Sequence, residues 1–113
     1  DGTVLDGEIV CWQGDRPLNF NYLQKRLGRK KVSPKIMAEN PAHFIAYDLL
    51  EWQHDDIRAK PLSDRRHRLT HLLQTADPTR LTLSATVPFT TPEELRSLRE
   101  HARDRGAEGL VIK

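Results

Sequence analysis

A chain of 113 residues, 37% hydrophobic and 30% charged, has the make-up of one folded domain, not of two and not of a disordered segment. No apolar run approaches the roughly 20 residues that span a bilayer, and no charged-then-apolar leader precedes the first predicted strand, so neither a membrane span nor a signal peptide is expected. The net charge of +2 is too small to argue for a nucleic-acid partner by itself, and Cys11, the sole cysteine, excludes an internal disulfide and fits a reducing compartment.

Residues 3–12, TVLDGEIVCW, are rich in β-formers and predict a strand, interrupted by Asp6 and Gly7. A glycine inside a strand marks a bulge or a close approach, of a ligand for instance. QGDRPLN predicts a turn. Asn19 is placed to cap a helix with Phe20, Leu23 and Leu27 on one face, weakened near its basic end by Gly28. Ser33 and Pro34 start a second, short helix. Residues 43–51, HFIAYDLLE, are apolar on both faces apart from Asp48, which predicts a central strand. After the loop WQHDDIRAKP, Ser63 opens a helix buried along Leu69, Leu72 and Leu73. RLTLSATV alternates Leu81, Leu83, Ala85 and Val87 against Thr82, Ser84 and Thr86, the period of a half-exposed strand. TPEE is a capping box, with Thr91 as cap, and the helix it opens buries Leu95, Leu98 and Ala102 and stops at Gly106. GAEGLVIK then supplies a last strand over 108–113. The order β-α-α-β-α-β-α-β predicts a sheet packed against helices, with strand directions open. Both ends of the chain fall at predicted strands, so an internal piece of a larger domain is expected.

Base is clustered in two places. KRLGRKK carries Lys25, Arg26, Arg29, Lys30 and Lys31 without an acid, and RRHR adds Arg65, Arg66 and Arg68. Clusters of this kind suit a phosphate partner, and equally a solvated helix face. Asp6 and Glu8, two apart on a strand, share a face and could bind metal or serve acid–base chemistry, or could simply face water. Phe44 and Tyr47 take opposite faces of the central strand; one packs in the core and the other offers a stacking surface to a planar base. His67 and His71, at i and i+4 on a helix, lack a third metal ligand at a useful spacing. No Gly-rich phosphate loop occurs.

Taken in order, LDGEIV (5–10), FIAYDLL (44–50) and EGLVIK (108–113) resemble motifs III, IIIa and IV of the nucleotidyltransferase domain of ATP-dependent DNA ligases. The intervening FNYLQKRLGRKK and DIRAKPLSDRRHRL are similar to the connecting segments of bacterial members. Motifs III and IV are shared with RNA ligases and messenger-RNA capping enzymes, which stand as the alternative; a non-catalytic phosphate-binding module is the third reading. The resemblance implies an α+β fold, part of an ATP-grasp-like nucleotidyltransferase domain with a mostly antiparallel sheet packed with helices. It implies ATP and a divalent metal, magnesium or manganese, as cofactors. It also implies nicked duplex DNA as partner, a monomeric enzyme and a bacterial cytoplasmic, nucleoid-associated location, with work in repair, replication or recombination. In the family a lysine takes AMP from ATP, AMP passes to the 5′-phosphate of a nick, and the 3′-hydroxyl displaces it.

Residue by residue, Glu8 matches the acid that contacts the nucleotide ribose or orders water near the lysine, Tyr47 the aromatic that stacks on adenine, and Glu108 the acid that supports metal. Lys113 ends motif IV within reach of phosphate. Arg26, Arg29, Lys30 and Lys31 are candidates for the DNA backbone. The family nucleophile sits in Lys-x-Asp-Gly, and no lysine of this chain is followed by x-Asp-Gly. The chain is therefore expected to be a partial adenylation domain over 1–113, without the catalytic-lysine segment, motif V or the OB-fold, and inactive by itself.

Overall fold

Eleven consecutive residues, Ala42–Trp52, form the longest strand of the computed structural model, which describes residues 2–105, 107 and 109–113. In chain order the elements are β1 (Val4–Gln13), β2 (Arg16–Pro17), α1 (Phe20–Gln24), α2 (Pro34–Glu39), β3 (Ala42–Trp52), β4 (Asp55–Asp56), α3 (Leu62–Leu73), β5 (Leu81–Leu83) and α4 (Pro92–Glu100). A 3-10 turn over Ala102–Arg105 follows. The fold is mixed α and β. The sheet runs β2-β1-β3-β4, and β5 also pairs with β3. β1 with β2 and β3 with β4 are antiparallel; β3 with β5 is parallel, in the register Phe44 to Leu81 and Ala46 to Leu83.

Two units share the chain, one from residues 1–9 and 42–85, the other from 10–41 and 86–113. The first holds the core predicted from the apolar strand and the leucine stripe. Ala46, Leu49, Ile57 and Leu69 are buried, and Leu72, Leu73, Leu81, Leu83 and Phe44 pack on them. Leu49 and Leu69 are fully enclosed, and burial of a leucine contributes about 1.5–3 kcal/mol. Asp48, the one acid in the apolar run, is buried and ion-paired with Arg65 at 2.9 Å. His43 is buried as well; its ring nitrogens meet the Thr79 carbonyl at 3.0 Å and the Thr82 hydroxyl at 2.8 Å. Asp48 and His43, enclosed by the sheet, therefore each have specific partners, as a low-dielectric interior requires.

In the second unit the caps fall where the sequence puts them. Asn19 accepts from the Asn21 N–H, Ser33 from Ile36 and Thr91 from Glu94. The Glu94 carboxylate reaches back to the Thr90 N–H at 2.9 Å and the Thr90 hydroxyl at 3.0 Å, one residue earlier than a standard capping box.

Several expectations are corrected. α1 ends at Gln24, so Phe20 and Leu27 do not share a buried face with Leu23; both are half exposed. Gly28, at φ +75°, turns the chain away just beyond it. Pro61, not Ser63, stands at the N-cap of α3. The half-exposed strand stops at Leu83, and Ser84, just past it, accepts from a side chain of α3. WQHDDIRAKP is less of a loop than expected, since Gln53 and His54 adopt positive φ and close a β3–β4 hairpin. Residues 109–113 are not a strand, and Val111 and Ile112 are 76% and 84% exposed. β-Propensity describes a fit to a neighbouring strand, and these residues have no ladder partner among the described residues. Glu108 and Gly106 lie outside the described residues.

Candidate functional site

The approach of β1 to β3 is set by Gly7. A Cβ built on Gly7 would run into the Ile45 carbonyl oxygen and lie 2.6 Å from Cζ of Phe44. The glycine in this strand thus admits a neighbouring backbone and an aromatic ring. On the alternating face, the residue after Gly7 meets the residue two beyond Ile45. The Tyr47 hydroxyl donates to Oε2 of Glu8 at 2.5 Å. Two residues singled out separately in the sequence are in this way one hydrogen-bonded pair, joined across adjacent strands. Phe44 takes the opposite role and packs on the core.

The electrostatics of the pair are those of a phenol beside carboxylates. Burial pushes the Tyr47 hydroxyl up, the bond to Glu8 adds to this, and the charges of Glu8 and Asp6 add further, to about 12. Tyr47 is therefore a fixed donor at any physiological pH, and the accepting Glu8 is held in one orientation. The protonated phenol is favoured in the folded protein relative to its ordinary value of 10.0. That stabilisation is complete below pH 10 and is lost as pH rises towards 12. Urea midpoints measured either side of this window should fall more steeply with pH in the wild type than in Tyr47→Phe; parallel curves would contradict the pairing.

Behind Tyr47 stands α3. Arg65 donates from Nε and Nη2 to the two carboxylate oxygens of Asp48, at 2.9 and 3.1 Å, and from Nη1 to the carbonyls of Arg58 and Lys60. Arg66 donates to the Tyr47 carbonyl at 3.0 Å, to the Ser84 hydroxyl at 2.9 Å and to the Ser84 carbonyl at 2.8 Å. Arg68 lies over the Trp52 ring at 4.7 Å. Arg65, Arg66 and Arg68 of the RRHR cluster, which the sequence leaves open between a phosphate footprint and a solvated helix face, are thus each engaged within the protein, while His67 is exposed. The signal that could have found this is the lone Asp48 in an apolar strand, which demands a cation nearby.

The other candidates belong to the second unit. Arg26 is half-buried and donates to the Asn40 carbonyl at 3.0 Å. Arg29 donates to the Lys25 carbonyl, and its side chain is exposed together with those of Lys30 and Lys31. Lys25 sits over the Tyr22 ring at 5.0 Å. Lys113 is exposed. Glu108, the expected metal acid, lies outside the described residues. Among the described residues no group of three or more His, Cys, Asp or Glu could hold a metal ion, His67 and His71 included. No helix among them is long and apolar enough to cross a membrane.

Comparison with known proteins adds the following. A family model described as ATP dependent DNA ligase domain matches residues 1–113. DNA ligase C2 of Mycolicibacterium smegmatis is 38% identical, over 100% of this chain and 31% of its own. A probable DNA ligase of Koribacter versatilis is 33% identical, over 98% of this chain and 23% of its own. The DNA ligase of Haloferax volcanii is 33% identical, over 100% of this chain and 19% of its own. The chain spans less than a third of the length of each of these three relatives.

Proposed function

Because the chain belongs to the ATP dependent DNA ligase domain family, we propose that it forms the adenine and ribose side of the nucleotide site of a longer ATP-dependent DNA ligase. The observation that carries this reading is the Tyr47–Glu8 pair on neighbouring strands. Tyr47 offers its ring face to adenine. Its hydroxyl holds Oε2 of Glu8, which leaves Oε1 to accept from a ribose hydroxyl. Both groups are fixed before the nucleotide arrives, so little ordering remains to be done on binding. The result is an α-phosphate held at a set distance from an attacking lysine, which is the kind of positioning that accelerates a transfer reaction.

The nucleophile comes from a Lys-x-Asp-Gly segment that this chain does not contain. The enzyme passes AMP from that lysine to the 5′-phosphate of a nick and seals the strand with the 3′-hydroxyl. A divalent ion, when bound, would neutralise phosphate charge, and Glu108 is the residue assigned to hold it. Arg29, Lys30 and Lys31 are assigned to the DNA backbone, where each contact adds salt-dependent affinity without sequence preference. Arg26 shares that role less directly, since the Asn40 carbonyl engages it.

Incubation with α-labelled ATP and magnesium tests the proposal. The full-length ligase carrying this chain takes up covalent AMP and seals nicked DNA, whereas the 113-residue chain alone takes up none. A labelled adduct on the isolated chain, or sealing confined to RNA ends, would contradict it.

A further inference from the structure

We propose that Arg66 is a positioning residue for the nucleotide site, acting through the backbone of Tyr47. The inference rests on the reading of Tyr47 as the stacking aromatic.

The parallel ladder between β3 and β5 has its last rung where the Ser84 N–H donates to the Ala46 carbonyl at 2.9 Å. β5 stops there, while β3 continues to Trp52. Just past this rung lie the half-buried carbonyls of Tyr47 and Ser84, and a half-buried carbonyl is satisfied by a donor. Arg66 reaches in from α3 and supplies it. Nη1 bridges the Tyr47 carbonyl and the Ser84 hydroxyl, and Nη2 donates to the Ser84 carbonyl. Only a guanidinium offers several donors in a rigid planar fork, and lysine presents a single compact charge in its place.

The peptide clamped by Arg66 is the one that carries the Tyr47 ring. The far end of the same side chain is held by Glu8. Tyr47 is therefore fixed from both ends, by α3 at its backbone and by β1 at its hydroxyl. Arg65, the preceding residue, makes a similar set of bonds one residue further along β3, but to Asp48, whose side chain is buried. The two arginines provide a built-in comparison. Both tie α3 to β3, and only Arg66 holds the residue that faces the nucleotide.

The test uses the full-length ligase and reads the KM for ATP and the maximal rate of self-adenylation, together with the melting temperature, well below melting. Arg66→Gln is expected to raise KM about three- to tenfold and to change the maximal rate less than about twofold. Arg66→Lys should recover part of the loss. Arg65→Gln should lower the melting temperature and leave KM at the wild-type value. If Arg66→Gln does not fold, Ser84→Ala, which removes one acceptor of the clamp, should raise KM about twofold. A KM unchanged in the folded Arg66 or Ser84 variant, or raised equally by Arg65→Gln, overturns the proposal. Tyr47→Ala separates the two levels. If Tyr47→Ala raises KM while the Arg66 variants do not, only the positioning role falls. If Tyr47→Ala leaves KM unchanged, the stacking reading falls and the positioning role with it.

Discussion

Gly7→Ala is expected to destabilise the protein by about 1–3 kcal/mol or more and to separate Glu8 from Tyr47. The new methyl group has nowhere to go. It meets the Ile45 carbonyl oxygen and lies 2.6 Å from Cζ and 2.8 Å from Cε1 of Phe44. The oxygen belongs to the backbone of β3, which is held by β5 on residues 44–46 and cannot yield locally. Phe44 packs on the core and could rotate only by opening it. The shift therefore falls on β1, which carries Glu8 away from a hydrogen bond that tolerates little lengthening. Urea denaturation and the KM for ATP should report the two consequences together. Gly109→Ala, where an added Cβ meets nothing within 4 Å, should leave the urea midpoint unchanged. A Gly7→Ala midpoint equal to wild type would show that the strands are not in the contact described.

The second large effect is expected at Tyr47. Tyr47→Ala removes the proposed stacking face, and loss of one base–aromatic stack costs about 1–3 kcal/mol, a rise in the KM for ATP of roughly 5- to 150-fold. Tyr47→Phe retains the ring and loses only the donor to Glu8, so its effect should be a few-fold. The order of the two variants matters more than either value. Equal losses in both would mean that the hydroxyl, and not the ring, carries the binding. No loss in either would remove Tyr47 from the site. Glu8→Gln, which keeps an oxygen acceptor but not its charge, should fall between Phe and Ala.

The sequence made some of this legible and left some of it hidden, for physical reasons. β3 could be read because a run apolar on both faces has few alternatives to a central strand, and Ala46 and Leu49 are indeed enclosed. The caps at Asn19, Ser33 and Thr91 could be read because a cap is a local bond between residues two or three apart. Glu8 and Tyr47 could be named one at a time, by motif, but not as a pair. Their bond depends on the register of two strands 39 residues apart, and periodicity fixes the face of a strand without fixing its partner. The same limit governs the arginines. RRHR reads as exposed base when α3 is considered alone; Arg65 and Arg66 turn inward because β3 presents the Asp48 carboxylate and the Tyr47 carbonyl, and Ser84, just past β5, presents its own carbonyl. Residues 109–113 show the converse case. Leu110, Val111 and Ile112 have the composition of a strand, and composition alone does not supply a neighbour.

In the proposed site adenine lies on the Tyr47 ring beside Glu8. Photolabelling of the full-length ligase with 8-azido-ATP, followed by peptide mapping, tests it most directly. The label is expected on the β3 peptide containing Tyr47, competed by ATP, and lost from that peptide in Tyr47→Ala. Label confined to other peptides, or undiminished on this one in Tyr47→Ala, would contradict it.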